Sequence, residues 1–182
     1  PVPERLTLTL TSNSPIVLGN NAWLRALTNA AEPAILWSPP DFLSCADCAT
    51  PEITQPTQSM TYQVEITDDK GCSITDSINL EVLLRYPAYL PNAFSPNDDG
   101  INDTWAPQGG PALERWLQMQ VYDRWGGLIF EAQNPNGQNA VLEWDGRAEN
   151  QPMPIGVYTC IIEGQFIDGT VRQFHSDVLL TR

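Results

Sequence analysis

Apolar and polar residues alternate with a period of two along much of this chain, the spacing of half-buried β-strands rather than of helices. In RLTLTLT, Leu6, Leu8 and Leu10 fall on one face and threonines on the other. PAILWSPP reads as a short strand ended by two prolines, with Trp37 placed to be a core residue. In MTYQVEITDDKGCSITDSINLEV, Tyr62, Val64 and Ile66 alternate, residues 68–71 turn, and Ile74, Ile78, Leu80 and Val82 return, which predicts a hairpin. Four to seven such strands within about 85 residues describe a small β-sandwich. The alternation stops over residues 83–94, where prolines break it, and resumes with different residues beyond. MQVYDRWGGLIFEA predicts a second hairpin, with Gly126 and Gly127 supplying the positive φ angles of a two-residue turn. A turn is expected at Asp145 and Gly146, a strand over residues 157–162, and a fold-back at Asp168 and Gly169 into an apolar-ended terminal strand. GPALERWLQ is the one stretch that suggests a helical turn, over residues 112–117. The pattern predicts two all-β domains joined near residues 85–88, with no repeat at a solenoid or propeller period.

Composition sharpens this picture. With 42% hydrophobic and 17% charged residues the chain is globular rather than disordered, and 12 glycines and 16 prolines suit many strands joined by tight turns. The formal net charge of -13 repels phosphate, which excludes nucleic acid and anionic lipid as natural partners. The chain opens at Pro1, without a methionine and without the basic start and apolar stretch of a signal peptide, so a processed chain or a piece of something longer is expected. No apolar run approaches the roughly 20 residues that a bilayer helix needs.

The candidate chemistry is sparse. Nucleophilic catalysis wants a base near neutrality, and His175, the single histidine, is flanked by Phe174 and Ser176 on an expected strand. No GxSxG, Walker A or HExxH motif occurs, and the reading is of a protein that is not an enzyme. Cys45 and Cys48 form a CxxC without the strand-to-helix context of a redox motif, and without the second ligand pair that zinc requires. A structural disulfide between them is expected, with a bridge from either to Cys72 as the rival. Four tryptophans, Trp105, Trp116, Trp125 and Trp144, fall in the second half. They are either a displayed sugar platform or core, and the turn glycines beside Trp125 and Trp144 favour packing.

The densest chemistry lies in LPNAFSPNDDGINDTW. Aligned on Gly100, it sets Ser95, Asn97, Asp99, the Ile101 carbonyl and Asp103 at calcium-loop positions, but the twelfth position, where an EF-hand has a glutamate, is Ala106. The alternative needs no ion: Asn and Asp side chains cap their own turns and Gly100 takes the left-handed conformation. No cofactor is required by the sequence, and Ca2+ stays open as the alternative.

In order and spacing, YLPNAFSPNDDGINDTW, VYDRWGGLIFE, WDGR, PIGVYTCII and VLLTR together resemble the gliding motility-associated C-terminal domain, the type B cargo domain of the type IX secretion system of outer-membrane bacteria. The resemblance covers residues 88–182. Phe94, Ser95, Pro96, Asn97, Asp99, Gly100, Asn102 and Asp103 match the first motif, Arg124, Trp125 and Gly126 the hairpin, and Trp144, Asp145 and Gly146 the next turn. Asp98 stands where family members often have glycine. Residues 1–85, through LWSPPDFLSCADC, TYQVEITDDKGC and DSINLEV, are similar to the Ig-like or PKD-like modules that often precede this domain. The resemblance implies an all-β chain of two antiparallel Ig-like β-sandwich domains in tandem. It further implies a non-catalytic export signal with a spacer in front, carried by a large secreted or cell-surface protein, often an adhesin. The implied partners are the outer-membrane translocon and an accessory outer-membrane protein, the chain itself being a monomer. An exposed terminal strand, with Val178, Leu179, Leu180 and Arg182, is expected to offer its edge to a partner together with the acidic loop. The alternative is a calcium-dependent adhesive or carbohydrate-binding module.

Overall fold

The protein is described by a computed structural model over residues 5–134 and 142–182. It divides into two compact units, Pro1–Arg85 and Tyr86–Arg182; the first four residues of the module expected over 1–85 lie outside the described residues. Both units are all-β, and among the described residues no helix is long and apolar enough to cross a membrane.

The first unit contains β1 (Leu8–Ser12), β2 (Ile16–Val17), β3 (Ala22–Thr28), β4 (Ala34–Ser38), β5 (Glu52–Ile53), β6 (Met60–Thr67), β7 (Ser73–Leu80) and β8 (Val82–Leu83). Two three-stranded antiparallel sheets, β1-β3-β5 and β4-β6-β7, carry the alternation read from the sequence. Ala22, Leu24 and Ala26 of β3, and Tyr62, Val64 and Ile66 of β6, are buried while their neighbours face water. Trp37 is buried and donates its indole N–H to the Cys48 carbonyl at 2.9 Å. That bond ties the loop closed by the Cys45–Cys48 disulfide to the strand carrying the indole. The hairpin turn is closed by Asp68, whose Oδ1 accepts from the Lys70 and Cys72 N–H groups, and Gly71 has φ +81°. Val82 does not continue the returning strand as the alternation suggested; after Leu80 the chain shifts, and β8 pairs in parallel with β2.

The second unit contains β9 (Ala88–Tyr89), β10 (Ala93–Phe94), β11 (Gln108–Gly109), β12 (Leu113–Tyr122), β13 (Leu128–Gln133), β14 (Arg147–Ala148), β15 (Gln151–Pro152), β16 (Gly156–Phe166) and β17 (Val171–Leu180). A five-stranded sheet runs in the order β10-β17-β16-β12-β13, antiparallel except for the parallel pair β10-β17. One face is covered by the chain around Phe94 and Trp105 and around Leu142 and Trp144. These four pack with Met119, Val121, Tyr158, Cys160, Ile162, Val178 and Leu180 into one buried cluster.

Two sequence expectations fail here. Residues 112–117 do not form a helical turn, since residues 113–122 are strand β12. Register shifts against β16 at residues 113–115 and 116–118 break the period of two and mimic helical spacing. The terminal strand is not an open edge at its end either. Leu179 and Leu180 pair with β10 on one side and β16 on the other, and the Leu179 and Thr181 N–H groups donate to the Asn92 and Phe94 carbonyls.

Candidate functional site

The five sequence motifs of the second unit meet at one end of its sheet. Trp105 and Trp144 form an antiparallel bridge, each donating its N–H to the other's carbonyl, at 2.8 and 2.9 Å. Both indoles are fully buried, so both ring N–H groups need partners. Trp105 donates to the Pro91 carbonyl at 2.6 Å and Trp144 to the Arg147 carbonyl at 2.8 Å. The Trp144 ring lies 5.2 Å from that of Phe94 and 5.1 Å from that of Tyr158, whose hydroxyl donates to the Pro154 carbonyl. Gly146, at φ +75°, is pressed between neighbours: a Cβ there would stand 2.9 Å from both Leu180 Cδ1 and Pro96 Cγ. Phe94, Trp144, Gly146, Val178 and Leu180 are therefore structural members of the site. Exposed around them lie Asp145, Arg147 and Arg182.

The acidic loop is closed on itself. Both carboxylate oxygens of Asp103 accept backbone N–H bonds: Oδ1 from Asn97 at 3.0 Å and Asp98 at 2.8 Å, Oδ2 from Gly100 at 2.8 Å. Asp99 Oδ1 accepts from the Ile101 N–H at 2.8 Å, and Asn97 Oδ1 from the Asp99 N–H at 3.1 Å. Asn97 Nδ2 donates to the other Asp99 oxygen, and the Ser95 N–H donates to the Asn102 carbonyl. The oxygens of Asn97, Asp99 and Asp103 thus face hydrogens, and in this arrangement the donor set does not form a cation cradle. Among the described residues no group of three or more His, Cys, Asp or Glu side chains is placed to hold a metal.

The loop needs three left-handed residues: Asp98 at φ +62°, Gly100 at +84° and Asn102 at +56°. Glycine adopts that conformation without the Cβ penalty that aspartate carries. Asp98→Gly is expected to stabilise the second unit by about 0.5–1 kcal/mol, read as a higher midpoint in denaturant; a lower midpoint would mean that the Asp98 side chain supports the loop.

Desolvation is the largest single influence on the Asp103 carboxyl and acts upward, but the N–H groups of Gly100, Asp98, Asn97 and Asp99 together outweigh it and hold its pKa below the ordinary 3.8. Asp168 is lowered likewise: desolvation acts upward, and the Thr170 N–H and the Tyr86 hydroxyl outweigh it. A carboxyl lowered by folding adds stability above its unfolded value and loses it as pH falls through the folded one. The melting temperature is therefore expected to fall as pH drops below about 4, the ordinary aspartate value, with a slope that Asp103→Asn flattens.

The hairpin β12–β13 differs from its sequence reading. Its turn is not the glycine pair. The Asp123 N–H donates to the Gly127 carbonyl, and Asp123 Oδ1 accepts from the Trp125 and Gly127 N–H groups. Only Gly126 of the two glycines has a positive φ, +82°. The tip is thus Arg124–Trp125, and Trp125, expected to pack, is 78% exposed, with the Arg124 guanidinium 4.2 Å from its ring centroid. Beside it a shallow groove of about 120 Å3 runs along Met153, Pro154, Ile155, Val157 and Tyr158. Burial pushes the Tyr158 hydroxyl above its ordinary pKa, while the charges of Arg124 and Arg182 pull it down.

Arg182 donates to the Met153 carbonyl at 3.0 Å, fastening the terminal residue between this groove and a second cavity of about 480 Å3. That cavity is lined by Pro96, Asp98 and Asp103 of the loop, Asp145 and Arg147 of the WDGR turn, and Arg182. Ile155 and Val157, both exposed, were not singled out by sequence; their signal was PIGVY, where alternation places Val157 opposite the buried Tyr158. His175 is exposed on β17, opposite Ile161. Cys160 is buried, and desolvation, with Asp177 nearby, pushes its thiol up to about 12, so it carries no thiolate chemistry at neutral pH.

Comparison with known proteins gives one match to a family. Residues 88–175 match the model of the CHU_C Type IX secretion signal domain. No curated protein matches the chain. Among solved structures, dimeric latent PorU from Porphyromonas gingivalis is similar at 8% identity and TM-score 0.35, over 97% of this chain and 20% of that one. The CbhA fibronectin(III)-like modules of Clostridium thermocellum are similar at 11% identity and TM-score 0.33, over 95% and 94% of the two chains. Murine CEACAM1b is similar at 12% identity and TM-score 0.36, over 96% and 100%. This chain thus spans a fifth of PorU's length, and at such scores none of these likenesses bears on function.

Proposed function

We propose that the second unit, whose residues 88–175 match the CHU_C Type IX secretion signal domain, is a non-catalytic export signal, directing the protein that carries it through the outer-membrane type IX machinery. Such a domain places the protein at the cell surface or in the medium and brings it to the secretion machinery. The finer reading is that the signal is read as a folded shape by an outer-membrane translocon component and an accessory outer-membrane protein, that the chain acts as a monomer, and that residues 1–85 are an Ig-like spacer. The observation that carries the export reading is the family match over residues 88–175. The geometry supports it, because the family-type residues Phe94, Trp144 and Gly146 hold one end of the sheet rigid while the loop, hairpin tip and Arg182 stay accessible. The test attaches the 182-residue chain to the C-terminus of a periplasmic reporter, in a type IX-competent bacterium and in its translocon-null mutant. Reporter outside the cells in the first strain alone supports the proposal; equal export from both strains refutes it.

The acidic loop enters this reading as a self-capped turn presented as a preformed shape, and not as a calcium site. Melting the chain in calcium and in chelator is expected to give the same midpoint. A ligand at a hundred times its dissociation constant adds about 2.7 kcal/mol, a shift of several degrees. A shift of that size, removed by Asp99→Ala, would return calcium to the site and favour the adhesive reading.

A further inference from the structure

The exposed face around the hairpin tip has a composition that the rest of the second unit lacks. Residues 86–182 hold twelve acidic and five basic residues, so two arginines close together are locally exceptional. Arg124 and Arg182 both stand close to the Tyr158 hydroxyl at this face; of the acids beside it, Asp123 turns its carboxylate onto the Trp125 and Gly127 N–H groups, and Asp177, two residues from Leu179, accepts from the Thr159 hydroxyl at 2.9 Å. Trp125, Ile155 and Val157 line the groove beside Arg124, and Leu179 adjoins it as the cross-strand partner of Val157, each of the four between 43% and 78% exposed. Val157 and Leu179 are cross-strand partners, so their side chains leave the sheet together, on the face opposite the buried Tyr158, Val178 and Leu180. None of these four apolar side chains is needed by the core, and large exposed apolar groups gathered in one patch mark an interaction surface. An indole held under a guanidinium is a low-entropy anchor, and tryptophan and arginine dominate the energetics of protein interfaces.

We infer that this face docks a protein segment in which carboxylates flank an apolar anchor, the anchor lying against Trp125, Ile155, Val157 and Leu179 and the carboxylates meeting Arg124 and Arg182. The inference rests on the export-signal reading for its biological role and supplies the chemistry of the partner. Charge decides between partner classes. An anionic lipid surface would meet the same two arginines but also the field of a chain at -13, whereas an acidic peptide engages only the local pair.

Two arms test this separately. In the first, the full chain is titrated with a peptide carrying glutamates on both sides of a Leu-Phe pair, with its lysine-for-glutamate counterpart, and with anionic vesicles, following tryptophan emission. Saturable binding of the acidic peptide alone, weakened about tenfold or more by Trp125→Ala and by Arg124→Glu at unchanged melting temperature, is the expected result. No binding, binding of the lysine peptide equally well, or binding of vesicles in preference to the acidic peptide overturns it. In the second arm the same variants are attached to the exported reporter, with Leu36→Ala of the first unit as control. Loss of export for Trp125→Ala and Arg124→Glu with the control unchanged supports the face, and wild-type export by both overturns it. If the unaltered chain is not exported, the export reading fails by itself, and the peptide titration alone decides the docking face.

Discussion

Trp144→Ala is expected to destabilise the second unit by about 3–5 kcal/mol, the cost of emptying a large, fully buried aromatic site. Three things go at once: ring contacts with Phe94 and Tyr158, the indole bond to the Arg147 carbonyl, and the volume that holds the Trp105 bridge in place. For a domain of this size that corresponds to a drop of roughly 15 °C or more, enough to leave much of a marginally stable domain unfolded. Thermal and denaturant melts followed by tryptophan emission measure it. A loss below about 1 kcal/mol would mean that the loops over the sheet are held by something other than this ring.

Gly146→Ala is expected to cost about 2–4 kcal/mol for two separable reasons. A left-handed residue with a Cβ costs about 1 kcal/mol or a little more, and that Cβ would press on Leu180 and Pro96 at 2.9 Å, an overpacking that costs about 1–3 kcal/mol further. Gly126→Ala is the internal control. It shares the conformation, at φ +82°, but has nothing within 4 Å of the new methyl group, so it should cost the first amount alone. Urea midpoints of the two variants give the difference directly. Equal losses would show that the packing of the WDGR turn against the terminal strand is loose.

These variants lie in motifs visible in the sequence, and the reasons they matter were only partly so. Strand alternation made the hairpin of residues 60–80 and the burial of Trp37 legible, because period and burial are local properties. The bulged strand β12 was not legible: each register shift moves the side chains to the other face, so Leu113, Trp116 and Leu117 looked helical. The tip at Arg124–Trp125 was misplaced because adjacent glycines are the stronger turn signal on paper, whereas the Asp123 carboxylate captures two N–H groups and draws the turn toward itself. Trp125 then points outward where the sequence suggested packing. The terminal strand looked free because its second neighbour, β10, comes from far upstream, and nothing in VLLTR announces a parallel pairing with Ala93 and Phe94. Deleting residues 178–182 would therefore remove Val178 and Leu180 from the core, and its effect on export could not separate recognition from unfolding.

In the acidic loop the residue types were plain but the assignment of their oxygens was not. A run of Asn and Asp with one glycine fits both an ion and a turn. Only the three-dimensional arrangement shows Asp103 facing the N–H groups of Asn97, Asp98 and Gly100. The same arrangement explains why glycine suits position 98, since that residue is left-handed.

The central claim is that a folded surface, and not a linear string of residues, is the export signal. The most direct measurement compares export of the reporter carrying the unaltered chain with that carrying Trp144→Ala, in the type IX-competent strain, with protease resistance of the periplasmic pool read in parallel. The expected result is efficient export of the first, and retention of the second in a protease-sensitive form. Export of the unfolded Trp144→Ala chain at the level of the unaltered one would contradict the claim and leave the linear motifs as what the machinery reads.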